Sequence, residues 1–182
     1  QNLDTRIMSG FDIALYYSLT NSLGNFNFSL NIAKLEKFKQ TAGNDFIKLI
    51  EAQESGVIPK ELSISGFSDL LEKDGSPEIQ ASIKFLWNKG PWGLGFFGKH
   101  IGEFYETRNR LSDGRLWKVK AYNTINGHVD YHFNFNSSNS RVRFGINNMT
   151  DERAPLASDI FGYYFDKHDN LGRYYYIDLS YK

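Results

Sequence analysis

Seven stretches of this chain alternate apolar and polar residues with a period of two, and the last of them runs into the final residues. Successive side chains of a strand point to opposite faces, so each stretch predicts a strand with one greasy and one wet face. In the last stretch Tyr175, Ile177, Leu179 and Tyr181 form the apolar file. Tyr174, Tyr176, Asp178, Ser180 and Lys182 form the more polar one. A long aromatic strand at a chain's end suits a barrel whose last strand closes on its first.

The other six stretches repeat the pattern. Phe11 to Leu19 sets Phe11, Ile13, Leu15, Tyr17 and Leu19 against Asp12, Ala14, Tyr16 and Ser18. Asn25 to Phe38, Ile79 to Trp87, Trp92 to Tyr105, Trp117 to Phe133 and Arg141 to Met149 follow. Residues 20–24, 88–91 and 134–140 read as short turns rich in Gly, Asn, Ser and Pro. Residues 40–76, 106–116 and 150–172 are long connections. The expectation is an all-β, antiparallel up-and-down sheet with turns at one end and loops at the other, as in outer-membrane barrels. Within the first long connection, Asn44-Asp45 is expected to cap a helix carrying Phe46, Leu49 and Ile50, and Ser68-Asp69 to cap a second through Leu71. Aromatics gather near strand ends: Tyr16, Tyr17, Phe26, Trp87, Trp92, Tyr131, Phe133 and Tyr181 by the turns, and Phe38, Phe104, Tyr105, Trp117, Tyr122, Tyr174 and Tyr175 by the loops. That spacing predicts two interfacial girdles.

Composition permits this reading. Net charge is zero, so there is no overall basic signal for nucleic acid. Cysteine is absent, which removes disulfides, thiolate metal sites and cysteine nucleophiles. Mean hydropathy is −0.47, and no run approaches the roughly 18 apolar residues of a membrane helix. A barrel strand needs only about 10 residues with half facing water, so average hydropathy conceals it.

No catalytic constellation emerges, and neither an enzyme nor a cofactor is expected. His128, Asp130 and His132 alternate on one file, but ligands four residues apart on a strand are separated by about 13 Å and cannot share an ion. They read as one wall of a hydrophilic lumen. Asp166, Asp169 and Asn170 lack EF-hand spacing and read as a solvated loop. The Asn136-Ser-Ser and Asn148-Met-Thr tripeptides match the glycosylation pattern and are given no weight. Arg108, Arg110, Arg115 and Trp117 cluster in one long connection and form the candidate site for an anionic ligand. The competing reading is a solvated loop top, with Glu103, Glu106 and Asp113 as partners.

The end of the chain resembles the C-terminal barrel of TonB-dependent outer-membrane receptors. The resemblance rests on Arg143-Phe-Gly-Ile-Asn-Asn-Met-Thr-Asp-Glu152, Ala154-Pro-Leu156, Gly162-Tyr163 and Leu171-Gly-Arg-Tyr-Tyr-Tyr-Ile-Asp-Leu-Ser-Tyr-Lys182. Weaker matches lie at Ser9-Gly-Phe-Asp12, Ile101-Gly102, Tyr122-Asn-Thr124 and Val129-Asp-Tyr131. The resemblance implies that residues 1–182 are a sector of about seven strands in a roughly 22-stranded barrel. Plug and earlier strands would lie outside this sequence, so the chain is expected to be a piece of a longer receptor, with an aromatic following Lys182. The whole would take up a scarce nutrient, a ferric siderophore foremost, across the bacterial cell outer membrane. Its partners would be outer-membrane lipid, lipopolysaccharide, the remaining strands and plug, and TonB through the plug.

A second class stays open: a soluble β-sandwich or barrel that binds carbohydrate through exposed tyrosines and tryptophans. The apolar files would converge on one core in that protein. In a receptor they would form an outward belt.

Overall fold

A computed structural model describes residues 5–59, 62, 64, 68–135 and 138–181. Asn136 and Ser137 of the first tripeptide, and Lys182, lie outside the described residues. Among the described residues ten strands and one helix follow in order: β1 (Arg6–Asn21), β2 (Gly24–Gln40), α1 (Asn44–Glu54), β3 (Ser68–Asp69), β4 (Ile79–Lys89), β5 (Trp92–Ile101), β6 (Phe104–Arg110), β7 (Leu116–Val119), β8 (Tyr122–Phe135), β9 (Ser138–Asn147) and β10 (Tyr174–Tyr181).

Seven of the strands form one antiparallel meander in the order β1-β2-β4-β5-β8-β9-β10, with β3 appended to β2. The alternating files dictate this arrangement, because the register keeps like files together. Leu19 pairs with Phe26, which pairs with Trp87, and Trp87 with Leu94. Leu94 continues to Val129, Phe144 and Ile177. On the reverse face Thr20, Asn25, Asn88 and Gly93 align, followed by Asp130, Arg143 and Asp178. A slip of one residue would exchange the faces of a whole strand.

The two faces meet different surroundings. Among the described residues no element covers the apolar face: Ile13 is 48%, Phe144 47%, Ile177 70% and Leu179 75% exposed. The fully buried side chains lie elsewhere, at the loop end, and include Ile101, Phe104, Val119 and Tyr122. The sheet is open, with β1 and β10 at its edges.

Three expectations are corrected. Residues 106–116 are not a plain loop. They belong to a β6–β7 hairpin, a separate two-stranded sheet in which Phe104 pairs with Val119 and Glu106 with Trp117. The stretches Trp92 to Tyr105 and Trp117 to Phe133 are accordingly each split between two sheets. Ser68-Asp69 starts no helix. Asp69 and Ser68 bridge to Lys39 and Gln40, and Ser68 has a φ of 74°, outside the helical region. The helix at Asn44 exists, but its N-cap is Gly43 and makes no side-chain cap bond; Asp45 faces the helix dipole from the first turn.

Aromatic side chains do gather at the turn end of the sheet. Trp92 and Tyr131 stack edge to face at 4.7 Å, beside Tyr131–Phe133, all on the apolar face near the turns. Tyr16 is on the polar face, opposite Ser29. At the loop end Phe104 and Tyr122 are buried, at 0% and 2% exposure. They fill the core beneath the loops, so they belong to no belt.

Candidate functional site

Two polar constructions stand on the wet face. The first is near the turns, where Arg143 from β9 reaches Asp130 on the paired position of β8. Nε meets Oδ1 at 2.5 Å and Nη2 meets Oδ2 at 3.0 Å, a two-pronged pair. Arg141 donates to Asp178 at 2.6 Å on the neighbouring pairing. His128 Nε2 lies 3.7 Å from Asp130, and no group of three metal-ligating side chains forms among the described residues. Gly145 makes room for this wall: a Cβ there would run into the Tyr176 ring, which lies flat across it.

The second construction is at the loop end. Residues 148–173 fold back over the wet face and are tied down at several points. Asn148 organises the start: its Nδ2 donates to Glu152 O at 2.7 Å, while its Oδ1 accepts from Glu152 N at 2.9 Å. Glu106 of β6, 2% exposed, accepts from Ser158 N at 2.8 Å and from Ser158 Oγ at 2.9 Å. Trp117 Nε1 donates to Leu156 O at 2.9 Å, and Tyr122 Oη to Asp169 O at 2.7 Å. Phe104 packs edge to face on Tyr164 at 4.9 Å, and burial beside Glu106 pushes the Tyr164 hydroxyl's pKa up.

His168 is the centrepiece of this core. Its ring lies parallel to Phe104 at 6.2 Å and edge-on to Tyr122 at 5.1 Å. It is 3% exposed, and neither ring nitrogen has a hydrogen-bond partner among the described residues. Burial, helped by Lys99, lowers its pKa from 6.5 to about 4. Asp166 opposes that shift and Lys167 adds to it. The unfolded chain therefore takes up a proton where the folded chain does not, and stability is complete above pH 6.5 and falls as pH drops from 6.5 towards 4. The loss is at most about 3–4 kcal/mol, from about 1.4 kcal/mol per pKa unit. Proteolysis of the 148–173 segment is expected to accelerate across that window, and His168→Phe to abolish the acceleration; equal acceleration in the variant would reject the assignment.

Below His168 a pocket of about 330 Å³ opens between the loop and strands β5, β8, β9 and β10. Phe97, Lys99, Thr124, Asn126 and Tyr174 line its strand side. Lys99 Nζ also donates to Lys167 O at 3.2 Å, across the top.

The four residues singled out by sequence are spread along the hairpin and its surroundings. Arg110 and Trp117 share a cleft of about 490 Å³ with Glu106, Leu156 and Ser158. Arg110 Nη1 donates to Gly114 O at 2.9 Å, holding the hairpin turn. Arg115 instead grips Asp113 two residues back, at 2.6 Å, and holds that carboxyl below its usual pKa. Arg108 is exposed and lies outside the cleft wall. Of the three carboxylates expected to pair with these arginines, only Asp113 does so. Glu103 meets Lys118 at 2.6 Å, and Glu106 holds Ser158. Sequence reasoning missed the loop-end pocket and the buried His168, whose polar neighbours Asp166, Lys167 and Asp169 disguise its burial.

No family model matches this chain, and no curated protein matches it.

Proposed function

We propose that this chain is the C-terminal barrel sector of a TonB-dependent transporter that carries a scarce nutrient across the bacterial outer membrane. The sheet would form part of the wall, the 148–173 loop and the β6–β7 hairpin would face outward from the cell, and no residue would make or break bonds. The observation that carries this reading is the uncovered apolar face. Each large apolar side chain left in water forgoes about 1.5–3 kcal/mol. The belt holds Phe11, Ile13, Leu15, Tyr17 and Leu19 on β1 alone, all more than 40% exposed. Across seven strands the forgone burial exceeds the roughly 5–15 kcal/mol of a domain's stability. An apolar solvent removes that penalty. Phe11 to Leu19 extends about 27 Å along the strand, which at a barrel's tilt of roughly 35–45° gives a band about 20 Å tall, most of the roughly 25 Å of an outer-membrane belt.

A soluble carbohydrate-binding sandwich would place a second layer on this face, and none is present among the described residues. The test uses single-tryptophan variants of the full-length protein in bilayers containing brominated lipid. Trp92, 50% exposed on the belt, is expected to be quenched strongly, whereas Trp117, tied to Leu156 in the loop layer, is not. Unquenched Trp92 emission would remove the transmembrane reading.

A further inference from the structure

We propose that three segments distant in sequence, 72–76, the β6–β7 hairpin and 154–169, form one lid over the loop end of the wet face that opens as a unit, with Glu106 as its latch. Strand β6 is the hub, because it is held on three sides. On one edge Phe104 and Glu106 pair with Val119 and Trp117 of β7. On the other edge Tyr105 N donates to Glu72 O at 2.8 Å and Asp74 N to Tyr105 O at 2.9 Å, which makes a short parallel bridge. Asp74 also fixes Thr107, accepting from its N at 2.9 Å and from its Oγ1 at 2.6 Å. The inward face of β6 is covered by the returning segment, where Tyr164 packs on Phe104 and Ser158 bonds to Glu106. The first and third segments meet directly as well, since a Cβ on Gly75 would lie 3.3 Å from the Tyr164 ring. Beneath 154–169 the returning segment has a closed neck. There Arg173 N donates to Asp151 Oδ1 at 2.8 Å and Arg153 Nη1 to Asn170 O at 3.2 Å. Opening is therefore confined to the residues above it.

Mutual dependence makes the opening concerted. The hairpin is a sheet of two strands, and two strands alone are marginal in water. It stands because 154–169 covers Phe104 and Glu106, and 154–169 in turn is anchored through Leu156, Ser158 and Tyr164 to that hairpin. Glu106 ties the two most tightly. Its Oε1 accepts from Ser158 N and Oγ, and its Oε2 from Asn109 Nδ2 at 3.3 Å. A small shift that removes Ser158 without admitting water strands a buried carboxylate, so intermediate positions are costly. His168 acts in the opposite sense. Its two ring nitrogens are sealed without partners among the described residues, and they reach water only when the lid opens. The closed lid is thus held by one buried group and opposed by another.

The lid stands apart from the transmembrane reading, which Trp92 quenching tests at the other end of the sheet. Its own test is hydrogen exchange of the full-length protein in detergent at neutral pH, read by mass spectrometry. Glu106→Ala is expected to speed exchange in 72–76, 104–119 and 154–169 by one common factor of about tenfold or more, while 138–147 of the sheet exchanges as before. His168→Phe keeps a ring and deletes the unmet nitrogens, and is expected to slow the same three segments together by about fivefold or more. If Glu106→Ala also loosens 138–147, Trp117→Phe decides the matter by the same comparison, since it keeps a ring and deletes the donor to Leu156 O. Faster exchange confined to 154–169, or in none of the three segments, overturns the concerted lid. Faster exchange in His168→Phe overturns the opposing role of that residue.

Discussion

Phe144→Arg is expected to destabilise the protein by about 2–4 kcal/mol in a lipid bilayer. Phe144 is at the middle of the belt, paired with Val129 on one side and Ile177 on the other, and is 47% exposed. In water such a site tolerates arginine, and an exposed substitution stays within about 0.5 kcal/mol. In hydrocarbon the guanidinium loses its hydration and has no carboxylate on that face to replace it. The same change on the opposite face, Ser29→Arg, is expected to have little effect, because that file meets water. Urea titration of the reconstituted protein, following the protease-resistant fraction, measures both. Equal small effects at the two positions would mean that the belt faces water.

Gly24→Val is expected to be the most damaging single change in a turn, costing about 3 kcal/mol or more. Gly24 opens β2 with a φ of +127°, where a side chain is strained even in empty space. The space is not empty. A Cβ there would lie 2.5 Å from Asn88 O and 2.7 Å from Trp87 Nε1. Trp87 Nε1 is held by Leu23 O at 2.9 Å, so the ring cannot swing away without breaking that bond. Gly90 in the next turn is the contrast: its φ is +54° and nothing lies within 4 Å of a Cβ. Gly90→Asn is therefore expected to cost less than about 1 kcal/mol, since Asn tolerates that left-handed region. Thermal melts of the two variants in the same detergent decide the matter, and comparable losses would contradict it.

The sheet was legible because alternation is a local signal and each strand carries its own. Ile79, Ala81, Ile83, Phe85 and Trp87 announce β4 without knowledge of its neighbours. The β6–β7 hairpin escaped because the inward position after Phe104 is Glu106. A buried carboxylate breaks the apolar file, and only its partner Ser158, 52 residues on, explains why it is inside. The arginines of that hairpin formed a cluster in sequence, yet Arg115 turned to Asp113 and Arg110 to its own turn, since short-range partners cost less entropy to engage. The pocket was invisible for a related reason. Lys99, Thr124, Asn147 and Tyr174 come from four strands, and only the pairing register and the returning loop bring them to one wall. His168 carries no sequence cue at all.

The tight turns also fix how the sheet can assemble. Two residues, Ser22 and Leu23, separate β1 from β2, and Gly90 and Pro91 separate β4 from β5. Each of these pairs can zip within about 1–10 μs, before any distant contact is made. The connections between hairpins are far longer, 41–78 between β2 and β4 and 102–121 between β5 and β8. Loop-closure entropy rises only logarithmically with length, by about 0.6 kcal/mol per doubling, so these spans slow the docking of preformed hairpins only modestly. The molecule is thus kinetically modular: a sheet this wide is added in two-strand increments, and β10, which follows a 26-residue span from 148 to 173, joins as a single strand.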